Sequence, residues 1–151
     1  MLFRSPIRGL GGDLPVRFAA NGAVPGDRIV GILTAGEGIT IYPIQSPALT
    51  AFDDQPERWL DVRWDLDGDR KEAFPVQIVV NCLNEPGALG VVATVIGEQG
   101  ANIEHVEFVQ RTPDVRDIFL DIKVFDLKHL NTILSQIKAK SVVTRVERVN
   151  G

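Results

Sequence analysis

Acid–base or nucleophilic catalysis looks first for a histidine, and this 151-residue chain has two, His105 and His129. His105 falls on an expected strand and His129 on the polar side of an expected helix, and neither sits in a motif that names an activating partner. The single cysteine, Cys82, excludes an internal disulfide and a cysteine-rich zinc site, and within an apolar strand pattern it reads as a small core residue. Asp65-Leu66-Asp67-Gly68-Asp69 has the acids of a calcium loop, but its glycine is at the fourth position and no glutamate stands at the twelfth, so it reads as a solvated linker. Gly9-Leu10-Gly11-Gly12 and Gly36-Glu37-Gly38 lack the Gly-Lys-Ser/Thr ending of a phosphate loop and read as turns. The chain therefore reads as non-catalytic, with no cofactor of its own.

A binding site is the chemistry that remains. Asn84-Glu85-Pro86-Gly87-Ala88-Leu89-Gly90 joins an expected strand to an expected helix, and Gly100-Ala101-Asn102-Ile103 opens the next strand. Pro86 and Gly87 permit a tight turn that aims the first N–H groups of the helix at a carboxylate. Asn84 and Asn102 carry amides suited to an α-amino group, and Ile103, Leu89 and Val92 are candidates to line an aliphatic side chain. The candidate ligand set is Asn84, Glu85, Pro86, Gly87, Ala88, Leu89, Asn102 and Ile103, with both loops expected at one end of adjacent elements. The plainer reading, in which these residues only shape a turn and start a strand, stays open on spacing alone.

Residues 74–82 alternate, with Val76, Ile78, Val80 and Cys82 on one face, as a half-buried strand requires. Leu89, Val92, Ala93 and Ile96 then fall at helical spacing over 88–99, and Gly100 supplies a left-handed stop. Residues 102–110 form a second strand, 117–126 a third with Ile118, Leu120, Ile122 and Val124 inward, and 142–149 a last one. Between them Leu127, Leu130, Leu134 and Ile137 mark a second helix. The order β-α-β-β-α-β predicts an α+β, ferredoxin-like fold: a four-stranded antiparallel sheet with both helices on one face and the other face open.

The first half carries strand-like runs at 15–20, 28–34, 38–44 and 58–65 and a short helix at 46–52, which predicts a small, mainly β domain. The boundaries expected are 1–66, a polar linker 67–73, and 74–151. Hydrophobic residues make up 44% of the chain, as in a globular protein, and no apolar run approaches the roughly 20 residues of a membrane span. The first residues are not a secretory signal, so a cytoplasmic location and no membrane partner are expected. A net charge of −4 argues against a self-sufficient nucleic-acid binder, although Arg4, Arg8 and Arg17 could add some RNA contact.

At Asn84, Pro86, Gly87 and Leu89, and at Gly100, Asn102 and Ile103, the sequence resembles the ACT domain family. Val24-Pro25-Gly26-Asp27-Arg28-Ile29-Val30-Gly31-Ile32-Leu33-Thr34 and Gly36-Glu37-Gly38-Ile39-Thr40-Ile41 resemble the zinc-finger-like domain preceding it in long RelA/SpoT-type stringent factors. The resemblance implies a regulatory region of an enzyme that makes and hydrolyses guanosine tetra- and pentaphosphate, with the catalytic domains elsewhere. It also implies a homodimer through the ACT domain and an amino acid, branched-chain such as valine or isoleucine, bound between subunits to tune hydrolysis against synthesis. The alternative it implies is a ligand-free module that docks on the ribosome and tRNA or dimerises the enzyme. The family's zinc ligands would fall at Ala20, Asn21, Tyr42 and Ser46, none of which is a usual ligand, so no metal is expected. Apolar strands with Trp59 and Trp64 are expected to hold that domain instead.

Overall fold

The structure is a computed structural model that describes residues 7–8, 15–20, 22–65 and 72–150. Arg4, Asn21, the glycine run at 9–12 and the acidic linker residues 67–71 lie outside the described residues. The chain divides into two compact units, Met1–Glu72 with Asn150–Gly151, and Ala73–Val149.

In the first unit, β1 (Ile7–Arg8), β2 (Val16–Phe18), β3 (Ile29–Thr34), β4 (Gly38–Pro43), β5 (Trp59–Leu60) and β6 (Arg63–Trp64) form two sheets. One has the order β2-β4-β3-β5 and the other is the pair β1-β6. β2 runs parallel to β4, and every other pairing is antiparallel. The alternation of β3 and β4 divides the apolar residues between two clusters. Ile39 and Ile41 pack with Ala23, Val62 and Trp64, while Val30 and Ile32 pack with Leu49, Phe52 and Trp59.

The single strand expected over 58–65 is broken instead into a 3-10 turn at Pro56–Arg58 and two two-residue strands with different partners. Trp59 and Trp64 are an odd number of residues apart and would face opposite sides of one strand. The break lets each ring join its own cluster. Trp59 Nε1 donates to the Phe52 carbonyl at 2.8 Å, and Trp64 Nε1 donates to that of Asp27 at 3.1 Å. The expected helix at 46–52 is a 3-10 helix, Pro47–Phe52, whose Ser46 hydroxyl accepts from the Ala48 N–H. Of the positions where relatives would hold zinc, Tyr42 packs against Phe52 and Ser46 is a buried cap. Arg17, one of the three arginines considered for RNA contact, is paired with Glu37 at 3.3 Å.

The second unit consists of β7 (Phe74–Leu83), α1 (Ala88–Glu98), β8 (Asn102–Gln110), β9 (Val115–Val124), α2 (Leu127–Lys138) and β10 (Val143–Arg148). Its sheet has the order β10-β7-β9-β8, antiparallel at each pairing, so the fold is the α+β ferredoxin-like one. Val76, Ile78, Val80 and Cys82 of β7 and Ile118, Leu120, Ile122 and Val124 of β9 are buried, together with Val92, Val95 and Ile96 of α1 and Leu130, Ile133 and Ile137 of α2. Two backbone features close α1. Gly100 takes φ 78°, and the Ala101 N–H reaches back to the Ile96 carbonyl at 3.1 Å, a Schellman stop. Among the described residues no helix is long and apolar enough to cross a membrane.

Candidate functional site

The first candidate loop leaves β7 at Leu83 and is tied to the hairpin between β8 and β9. The Asn84 N–H donates to the Asp114 carbonyl at 2.8 Å, and its side-chain amide donates to that of Pro113 at 3.3 Å. Gly87 is the N-cap of α1 at φ 83°, with no side-chain cap. A Cβ there would meet nothing within 4 Å, so the backbone conformation, not crowding, calls for glycine. The Ala88 N–H donates to the Glu85 carbonyl at 3.2 Å and the Ala88 methyl is buried, whereas the N–H groups of Leu89 and Gly90 find no acceptor among the described residues. Those two donors, backed by the helix dipole, are left free at the N-terminus of α1. Glu85 and Pro86 are exposed beside them.

The second loop does not join the first. On β9 the residue opposite Leu83 is Val115 and the residue opposite Asn102 is Lys123, so at about 3.3 Å per residue the loops are roughly 26 Å apart, at opposite ends of the sheet. The expectation that both lie at one end is thus corrected. In a β-α-β crossover the helix carries the chain back along the sheet, so the turn that enters it and the turn that leaves it must be at opposite ends. Asn102 is exposed and Ile103 half-buried. Val92, considered for the ligand pocket, is fully buried and belongs to the core.

Three residues matter more than their sequence context suggested. His129 is no ordinary surface histidine: its Nδ1 accepts the Phe125 N–H at 3.0 Å and its Nε2 lies 2.6 Å from the Gln99 carbonyl. A donor at Nδ1 and a carbonyl at Nε2 match the tautomer with its hydrogen on Nε2. The ring joins the end of α1 to the start of α2. Arg116 shares the helix-covered face with its strand neighbour Cys82, and its guanidinium lies 4.4 Å from the centroid of the Phe108 ring. Its Nε is buried without a hydrogen-bond partner. Burial pushes the Cys82 thiol pKa up, against the opposing pull of Arg116. Two-residue alternation puts Arg116 on the inner face, but only the register shows it beside Cys82.

The open face of the sheet carries a polar network centred on Asp117, which is buried at 6% exposure. Asn81 donates to Asp117 Oδ1 at 2.8 Å and Arg111 Nε donates to Oδ2 at 2.7 Å. Burial alone would raise the carboxyl pKa, but the hydrogen bonds from Asn81 and Arg111 and the charges of Arg111 and Arg145 hold it below the ordinary 3.8. A depressed folded-state pKa stabilises the fold above the unfolded value and loses that contribution as the pH falls through the folded one. Asp117→Asn is expected to destabilise the unit by about 1–2 kcal/mol at neutral pH, a modest figure because Arg111 is half-exposed. The difference should shrink as the pH falls through the folded-state pKa, below the ordinary 3.8, and the aspartate takes up its proton. Urea midpoints followed across that fall in pH check this, and a deficit independent of pH would contradict it.

Residues 5–65 match the RelA/SpoT RIS domain and residues 70–148 match an ACT domain. The chain belongs to the ACT domain family. Its first unit, likened above to a zinc-finger-like domain, is the RIS domain, and RIS followed by ACT makes this a C-terminal regulatory region of the RelA/SpoT type. The GTP pyrophosphokinase rsh of Brucella ovis is 58% identical over 97% of this chain and 20% of its own length. The bifunctional (p)ppGpp synthase/hydrolase SpoT of Escherichia coli is 26% identical over 95% of this chain and 20% of its own length. This chain therefore spans about a fifth of the length of the curated relatives it matches. Among solved structures, the ACT domain from the GTP pyrophosphokinase of Chlorobium tepidum aligns over 52% of this chain and all of its own, at 20% identity and a TM-score of 0.46.

Proposed function

We propose that this ACT domain senses an amino acid, branched-chain such as valine or isoleucine, at a site shared between two copies. Binding biases a full-length (p)ppGpp synthetase/hydrolase toward hydrolysis of the alarmone through its catalytic domains. One observation carries the reading: the Asn84–Gly87 and Asn102–Ile103 loops lie at opposite ends of a sheet whose edge strand is β8. β8 is nine residues long and largely exposed, an edge that folded proteins normally pair or cover. A two-fold axis that pairs β8 antiparallel with β8 of a second copy puts Asn102 of one copy beside Gln110 of the other. That is the end where the other copy's Asn84 and Gly87 stand. The 26 Å gap within one chain thus closes across the pair, once at each end. Unequal ligand affinity for two states of the enzyme, with a coupling of about 1–3 kcal/mol, would suffice for regulation.

Complementation tests it. Asn84→Ala and Asn102→Ala, each alone, are expected to weaken valine or isoleucine binding by about 10- to 100-fold, the effect of one lost hydrogen bond to a charged group. Mixed in equal amounts and allowed to exchange, they should regain about a quarter of the wild-type sites, since half the pairs are mixed and each mixed pair has one intact site. Calorimetry counts the sites. No recovery in a preparation shown to exchange subunits would move the site inside one copy. No heat with any of the twenty amino acids would sink the sensor, and leave docking on the ribosome and tRNA, or dimerisation, as the function of the domain.

A further inference from the structure

Among the described residues Arg116 is a half-buried cation without a counter-ion. Its side chain belongs to the helix-covered face, in the row with Cys82 and Gln110, at the end of the sheet where β7 gives way to the Asn84–Gly87 loop. Arginine has five N–H donors and no acceptor. Here Nε is buried without a partner, the plane rests on Phe108, and the Cys82 thiol is the cross-strand neighbour. No carboxylate is within ion-pair distance of it among the described residues. By contrast Arg111, on the opposite face, is paired with Asp117 at 2.7 Å. A guanidinium taken partly out of water is stabilised by an anion, and bidentate pairing with a carboxylate is its strongest interaction. The unpartnered N–H groups of Leu89 and Gly90 open α1 at the same end of the same face. Phe108 is 44% exposed although its face is the inner one, and it lies near the end of edge strand β8, open to a ligand side chain.

We propose that Arg116 binds the α-carboxylate of the amino acid, with Phe108 holding the guanidinium in place and presenting an apolar wall to the ligand side chain. The inference rests on the sensor reading above and adds to it the residue that selects a free carboxylate. It places the anionic end of the ligand against Arg116 and the first turn of α1, leaving the ammonium group to the asparagine amides.

The test is a calorimetric titration of the chain with valine, isoleucine and their α-amides, which keep the ammonium and lose the carboxylate. Wild-type protein is expected to bind the acids on the order of 30-fold or more tighter than the amides. Arg116→Gln should lose on the order of 30- to 100-fold for the acids and little for the amides, erasing the preference, while Arg116→Lys keeps part of it. Far-UV circular dichroism establishes that each variant is folded. A folded Arg116→Gln that still prefers the acids, or a wild type that binds acids and amides equally, overturns the role of Arg116 and leaves the shared-site reading standing. A wild type that binds no amino acid overturns both. The acid-against-amide comparison uses unmutated protein, so it holds even if a variant fails to fold.

Discussion

Leu120→Ala is expected to lower the stability of the second unit by about 3–5 kcal/mol, the range for a leucine cut from a core that cannot collapse around the gap. Leu120 is fully buried on β9, opposite Ile78 of β7 and Val106 of β8, so the sheet holds it from both sides. The inner face on which it stands is covered by the buried residues of α1 and α2. A domain of fewer than about 80 residues holds only some 4–12 kcal/mol in total, so the variant should be close to unfolding at physiological temperature. Circular dichroism isolates this unit, because both α-helices belong to it. Leu83→Ala, on the same sheet but 36% exposed, should cost less than about 1 kcal/mol. Equal losses for the two variants would contradict the core described here.

Gly38→Ala is expected to have the next largest effect, on the RIS domain. Gly38 has φ 105°, and a Cβ built on it would lie 2.3 Å from the Pro15 carbonyl oxygen, a backbone atom that cannot swing away. The contact falls where the parallel pairing of β2 with β4 begins, beside the 2.9 Å hydrogen bond from the Ile39 N–H to that same oxygen. Relief of the clash means pulling β2 off the sheet, a loss of about 2–4 kcal/mol when the strained backbone is added. Gly36→Ala is the internal control. Its φ of 81° is also left-handed, but nothing lies within 4 Å, so only about 1 kcal/mol of backbone strain applies. Both tryptophans are in this unit, so their fluorescence follows its unfolding. Matching midpoints for the two variants would show that β2 does not approach Gly38 as described.

The chain reads well where structure is local. Alternation at Val76, Ile78, Val80 and Cys82, and again at Ile118, Leu120, Ile122 and Val124, marks two strands whose inner faces are buried as expected. Leu130 and Ile137 mark α2, and Gly100 ends α1 at the position its type suggests. From those elements the β-α-β-β-α-β order follows, while the resemblance to the family rests on the motifs at Asn84–Leu89 and Gly100–Ile103. Each of these signals is carried within a few residues of chain, over the period of a strand or one or two turns of a helix.

What the tertiary structure decided is everything that depends on register. Trp59 and Trp64 look like one strand until two separate clusters claim them. Asn84 and Asn102 look like neighbours until the crossover puts them at opposite ends of the sheet. Pairing sets Arg116 over Phe108 and beside Cys82, with no acid to answer it among the described residues. Asn81, far away in sequence, and Arg111 close around Asp117 only in the folded sheet. Side-chain type and spacing along the chain determine which segments form and which face they bury. Which distant residues meet is set by how strands align, and that alignment is a property of the folded sheet, not of any segment taken alone.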